Sequence, residues 1–475
     1  MREPYGIRAE VTANTVCVSH SRGLTDYPLR DASGNVIATI HGQLLTGFVG
    51  AGMRFASDAV IADFTISSAE EFEKRIVDNL HGNIAIITSS PVIGRRLYTD
   101  YATALSIVYD PGKKLFASSA ALMFEDDEYD ARLLRDRVRR IVLSEGKQGW
   151  ICGTLTAHQG LFRLLPNHYL DLESFTQHRF WPREDDFPLW MDFEEAARIC
   201  AADIRSYVEA AVSQFDISVA LTAGYDSRIV LAAARNVVDQ VEAYTLHHRT
   251  LNIDAVLAPE IAGHLGVRHR LIPLTQTSEE EKLWWDHCVG HCVKEVSRDI
   301  FPSLKLIPGN LNLSGICGET GRNRLYQKDW RTINDRKLKA KTVLWRLALP
   351  SDPELVENVQ NWLDELSWLA PSAVLDLAHV ELKIGSWCMG QGPAQKAILP
   401  VMMPLGQRRV QDAMIRVNPA AKDNGALFHR IGELNWPEAM AFPVNRFGDY
   451  RDLLAKIRKL GNPQKVRQYL REHLS

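Results

Sequence analysis

This chain of 475 residues has little cysteine, no strong charge of either sign and no apolar run long enough to span a bilayer. Seven scattered cysteines, an odd number, exclude a fully paired disulfide framework and fit a reducing compartment. With 55 Lys and Arg against 58 Asp and Glu, the formal charge is −3. That balance gives no basic field of the kind nucleic-acid binders need. The opening residues, Met1-Arg2-Glu3-Pro4-Tyr5-Gly6, contain no apolar h-region, so no secretory signal is expected. Repeats and low-complexity tracts are also lacking. These absences predict a cytoplasmic globular protein with neither nucleic acid nor membrane as partner. The length suggests two or three domains.

What is present centres on Leu221-Thr222-Ala223-Gly224-Tyr225-Asp226-Ser227-Arg228. The run before it, Ile217-Ser218-Val219-Ala220-Leu221, reads as a buried strand. The Ala-rich run after it, Ile229–Arg235, reads as a helix. A small-residue turn between a strand and a helix N-terminus aims backbone N–H groups and a positive dipole end at an anion such as phosphate. Asp226 adds a carboxylate able to hold magnesium against that phosphate, and Ser227 adds a hydroxyl donor.

The stretch resembles the Ser-Gly-Gly-x-Asp-Ser loop of the N-type ATP pyrophosphatases, with Thr222 and Ala223 in the first two places and Gly224, Asp226 and Ser227 matching outright. A short run, Asn310–Leu313, leads into Ser314-Gly315-Ile316-Cys317-Gly318-Glu319-Thr320-Gly321-Arg322. This second stretch is similar to the Ser-Gly-Glu-Gly-x-Asp-Glu segment of asparagine synthetases and β-lactam synthetases. The resemblance implies cleavage of ATP to AMP and pyrophosphate, with Leu221–Ser227, Ser314 and Gly315 against the nucleotide. By the same resemblance Asp226 and Glu319 are the magnesium ligands. Leu246 is expected near the adenine. The family's late Lys falls near Phe442-Pro443-Val444-Asn445-Arg446, where Arg446 supplies charge but no proton transfer. Glu381 stands near an acidic residue of the relatives and is the candidate base. Asparagine synthetases carry Glu directly after the Ser-Gly and β-lactam synthetases carry Tyr. Ile316 replaces both and cannot move a proton.

The N-terminal part reads as β-rich, with strands expected at Val36–Ile40, Ile84–Thr88, Leu105–Val108 and Leu115–Ala117. Leu80-His81-Gly82-Asn83-Ile84-Ala85, Tyr98–Thr103, Phe116-Ala117-Ser118-Ser119 and Leu164–His168 resemble, in order, segments of the class II glutamine amidotransferase domain. The resemblance implies an Ntn-hydrolase-like α+β domain over 1–182. Those enzymes use an N-terminal Cys, whereas Met1 is followed here by Arg2, so a degenerate domain without glutaminase activity is expected. Cys17 reads as a strand residue. Trp181–Pro188, with two prolines and four charges, reads as a linker to a synthetase domain over 190–475.

A helix is expected over Phe193–Phe215, a strand at Val241–Leu246, a helix at Asp254–Leu265, and helical patterns from Leu344 onward. The fold class that follows is α/β: a parallel-sheet ATP pyrophosphatase domain with a helical C-terminal cap, behind the β-rich domain. His287-Cys288-Val289-Gly290-His291-Cys292 lies in a helical pattern over Glu279–Val296. One helix cannot wrap four ligands around zinc, so packing is the expected role. Gly390-Gln391-Gly392-Pro393 follows no strand and is not expected to bind a dinucleotide. The tail, Arg451–Lys459 and Lys465–His473, reads as a basic amphipathic helix. The expected function is an ATP- and Mg²⁺-dependent, AMP-forming synthetase joining a small-molecule or peptide carboxylate to an amine, in an intermolecular or intramolecular amide. A homodimer is the expected assembly. The alternative is a nucleotide-binding pseudo-synthetase without turnover.

Overall fold

A computed structural model describes residues 3–46, 53–55, 60–61, 65–187, 190–247, 252–294 and 296–452. It shows a mixed α/β protein with mainly antiparallel sheets in its first part, where only the edge strand Val60–Ile61 pairs parallel among the described residues, and a parallel sheet from residue 217. The first antiparallel sheet orders Phe162–Arg163, Val108–Asp110, Leu115–Ala117, Ile7–Val11 and Val16–His20. Alternation explains it: Ile7, Ala9 and Val11 are buried, whereas Glu10 between them is exposed. The second runs Gln177–Arg179, His168–Asp171, Arg96–Thr99, Leu80–Thr88, Val36–Thr46, Thr25–Arg30 and Val60–Ile61, with Arg54–Phe55 on Val36–Thr46. Leu80–Thr88 is buried almost throughout, as suits a central strand covered on both faces.

The two sheets share one core. Ile7, Ala9 and Phe116 of the first meet Ala85, Ile87 and Leu97 of the second. On its other side the second sheet joins the C-terminal helices, where Ile40, Ile84 and Tyr98 cluster with Trp362, Leu375 and Leu377. Each such buried side chain contributes about 1.5–3 kcal/mol. The segment expected as a linker is packed toward both ends, since Trp181 and Phe187 are buried and their rings meet edge to face at 5.3 Å.

The parallel sheet has the order His269–Pro273, Val241–His247, Ile217–Ala220, Leu311–Leu313 and Val401–Met402. The strands leading outward from Ile217–Ala220 therefore go one way for the second and third and the other way for the fourth and fifth. Ile217–Ala220 and Leu311–Leu313 flank that reversal, and crevices at such a switch point are where open α/β sheets bind ligands. The long helix Phe193–Val212 packs against Arg408–Arg416 and Ala426–Asn435.

Three sequence expectations shift. Leu105–Val108 is not a strand; the strand is Val108–Asp110, and Leu105 and Ile107 enter the core from the preceding turn. The helix expected from Ile229 starts earlier, at Tyr225, and ends at Ala233. The helix expected over Glu279–Val296 stops at Cys288, because Gly290 and His291 both take left-handed backbone angles. Its capping box, Ser278 with Glu281, explains the sharp start. The basic tail beyond Asp452 lies outside the described residues.

Candidate functional site

The loop after Ile217–Ala220 is built by its own hydroxyls. Ser227 Oγ accepts from the Thr222 backbone N–H at 3.0 Å and pairs with Thr222 Oγ1 at 2.8 Å, while Gly224 N donates to Thr222 Oγ1 at 3.2 Å. Leu221 continues the sheet by donating to Tyr244 O. Ala223 sits where the Ser-Gly-Gly-x-Asp-Ser loop it resembles has Gly, and it does so without strain, because its φ is not positive. Gly224 then caps the helix Tyr225–Ala233 with no side-chain hydrogen bond, which leaves the helix N-terminus open to a guest.

Three residues that were not singled out from sequence hold this loop. Asp254, in the first turn of Ile253–Leu265, accepts from Ala223 N at 2.8 Å. Arg228 is wholly buried, and it donates to the carbonyls of Ala223, Phe442 and Pro443 at 2.9, 2.7 and 2.6 Å. Burial lowers its guanidinium pKa to about 10. Asn445 N adds a further bond to Ala223 O. Arg228 directly follows the motif and was legible as a charged residue in an apolar helix; Asp254 and Asn445 are brought in only by folding.

The second loop leaves the neighbouring strand at the same end, with Ser314 N bonded to Met402 O. It lies directly on the first. A Cβ on Gly315 would fall 2.6 Å from the Asp226 carbonyl carbon, and one on Gly318 would fall 2.4 Å from Asp226 Oδ1. Gly315→Ala is therefore expected to cost about 1–3 kcal/mol by overpacking, read as a lower urea midpoint. Gly263→Ala, in a helix with open space around it, should be neutral or slightly stabilising in the same measurement.

The two loops bring the predicted acids together. Asp226 Oδ2 accepts from Arg322 Nη2 at 2.6 Å, while Asp226 Oδ1 is buried and has no hydrogen-bond partner among the described residues. Glu319 Oε2 meets His379 Nε2 at 3.1 Å. Burial raises the pKa of Asp226 against the pull of Arg322, and the charge of Glu319 raises it further. Burial opposes ionisation of Glu319 as well, but His379 and Arg322 outweigh it and hold its carboxyl below the ordinary range. Among the described residues no group of three or more His, Cys, Asp or Glu could hold a metal. Two carboxylates with one oxygen unsatisfied fit magnesium, which takes one or two protein carboxylates and completes its shell with phosphate oxygens and water.

Beside the acids lies an open cleft of about 680 Å³, lined by Tyr225, Arg322, Arg324, His429 and the segment Phe442–Arg446, among others. Arg446 thus shares the cleft with Tyr225 of the loop Thr222–Ser227. Neither Arg324 nor Arg446 has an ion-pair partner among the described residues. Leu246 is half-buried, one residue before the end of Val241–His247. Ile316 is half-buried and packs on the core of the parallel sheet.

Glu381 is elsewhere. It is wholly buried, and its oxygens accept from Asn167 Nδ2, Arg179 Nη1, Arg179 Nη2 and Trp362 Nε1 at 2.6–2.8 Å. The expectation that it serves as a base is corrected on that ground, for no lone pair is left to take a proton. Two positions earlier on the same wide-turned π-helix, His379–Cys388, it is His379 that faces the site. Cys17 is exposed in the middle of the strand Val16–His20, opposite Glu10. Gly390–Pro393 forms buried helical turns.

No protein-family profile matches the chain, and no curated protein matches it. Among solved structures, a glutamine-dependent NAD+ synthetase from Acinetobacter baumannii in complex with ADP is similar, at 16% identity and a TM-score of 0.20. The match covers 46% of this chain and 40% of that one, so the chain spans less than half of that neighbour's length.

Proposed function

We propose that the protein is an ATP-dependent, AMP-forming amide synthetase, in which a substrate carboxylate is adenylated and then joined to an amine. The observation that carries this reading is the meeting of Asp226 and Glu319 on two loops that leave adjacent parallel strands beside an arginine-lined cleft. The open N-terminus of Tyr225–Ala233 is suited to receive phosphate oxygens. Magnesium, when bound by Asp226 and Glu319, would neutralise charge on the phosphates and on the leaving pyrophosphate. Arg446 and Arg324 add fixed positive charge where the pyrophosphate would depart. Arg228 orients the site by clamping the Phe442–Pro443 backbone to the loop.

The N-terminal part, proposed as a unit over 1–182 beside a synthetase unit over 190–475, takes no part in nitrogen release in this reading. Its one exposed cysteine, Cys17, lies inside a strand, and the strand before it, Ile7–Val11, pairs on both sides. The other six cysteines are buried. Among the described residues no helix is long and apolar enough to cross a membrane. Cytoplasmic location and a homodimeric assembly stand as proposals.

A second reading, a nucleotide-binding pseudo-synthetase, draws on one observation: loop groups a nucleotide would use are already engaged, Ala223 N by Asp254 and Asp226 by Arg322. Incubation of the protein with ATP, magnesium, amines and a panel of carboxylic acids separates the readings. The synthetase reading expects AMP and pyrophosphate with at least one acid, and no glutamate when glutamine is the nitrogen source. ADP as product would reject α,β-cleavage, and ATP binding with no AMP from any acid would favour the pseudo-synthetase.

A further inference from the structure

Arg322 is the unexpected member of the site. Its backbone is fixed: Gly321 lies so close to Phe428 that a Cβ would fall 2.3 Å from the ring. On the other side, Asn323 closes the turn in the left-handed region and bonds Pro419 O at 2.7 Å. The side chain is less constrained. It lines the cleft, and its guanidinium stands 5.5 Å from the centre of the Phe428 ring. Of its five N–H donors, one bonds Asp226 Oδ2 and its buried Nε has no acceptor among the described residues. Asp226 is in the same condition, with Oδ1 buried and unsatisfied.

A carboxylate with one oxygen unmatched and a guanidinium with one of its five donors bonded are poised for a third partner, since buried polar groups are ordinarily satisfied. The charges point the same way. Asp226 and Glu319 are close enough to disfavour joint ionisation, and Arg322 is the cation that acts on both. A divalent cation placed on Asp226 would repel that guanidinium at short range. The cleft the arginine already lines is where its displaced charge would find an anion.

Resting on the synthetase reading, we propose that Arg322 is a resident counter-ion that holds Asp226 until magnesium arrives and then moves its guanidinium onto the departing pyrophosphate. Metal and arginine thereby compete for one carboxylate, and pyrophosphate completes the exchange by taking up the arginine. Among the described residues neither Arg324 nor Arg446 pairs with an acid of the site, although the charge of Arg324 also favours the ionised form of Asp226.

The test uses the full chain and two simple probes. Mn²⁺ is titrated without nucleotide and followed by the EPR signal of the free ion, and inorganic pyrophosphate is titrated calorimetrically in excess magnesium. Arg322→Gln should bind Mn²⁺ about tenfold more tightly than the unaltered protein, and pyrophosphate about tenfold more weakly, the scale of one charge-assisted hydrogen bond. Arg322→Lys, which keeps the charge but not the fork, should fall between them. Unchanged or weaker Mn²⁺ binding by Arg322→Gln would overturn the proposal, as would unchanged pyrophosphate binding. Mn²⁺ binding that survives Asp226→Asn would instead overturn the metal site on which the synthetase reading stands.

Discussion

Asp226→Asn is expected to lower pyrophosphate release by about 10²-fold or more, the scale of losing a key electrostatic stabiliser. The change keeps the side-chain shape and one acceptor for Arg322 while removing the charge that would hold magnesium. The fold should survive it, and the sign of the pKa shift says why. Burial raises the folded-state pKa of Asp226, so near neutral pH the ionised carboxylate is less favourable in the folded chain than in the unfolded one. Taking that charge away does not weaken folding through this term. A pyrophosphate-release assay alongside urea unfolding would check both parts, and turnover near the unaltered rate would remove Asp226 from the metal site.

Glu381→Gln should do the opposite, with a large loss of stability and no specific loss of chemistry. Glu381 is wholly buried against Arg179, whose side chain is 10% exposed. Removing the Glu381 charge leaves Arg179 with only the half-exposed Glu365 as its ion-pair partner, at a cost of up to about 3–5 kcal/mol. The loss would appear as a lower urea midpoint, with ATP turnover retained at temperatures where the variant stays folded. A general base would behave in reverse, with turnover lost and stability kept. That contrast gives the corrected role of Glu381 its own measurement.

The reason for the misplacement is instructive. His379 and Glu381 are two residues apart on one helix and so face different directions. Only His379 meets Glu319, while Glu381 meets Asn167 and Arg179 from the N-terminal part. Position along the sequence locates the helix near the site and cannot say which side chain enters it.

The sequence by itself determined the local events. Ile217–Ala220, the turn after it and the small buried residues Ile229–Ala233 are neighbours in the chain, so strand, loop and helix follow from periodicity and residue size. The same holds for Leu311–Leu313 and its turn, for Leu115–Ala117, and for Ile253–Leu265 with its Asn252 cap. Where two left-handed residues ended a helix early, at Gly290 and His291, periodicity alone carried the pattern too far. Tertiary structure decided the rest. The strand order that sets the two acid loops side by side, the Asp254 and Arg228 clamps, the Arg322–Asp226 pair and the burial of Glu381 all join residues 31 to 215 positions apart or, for Arg228 and Ala223, five. Such contacts depend on which apolar faces pack together across the whole chain, a condition that no single window of sequence contains.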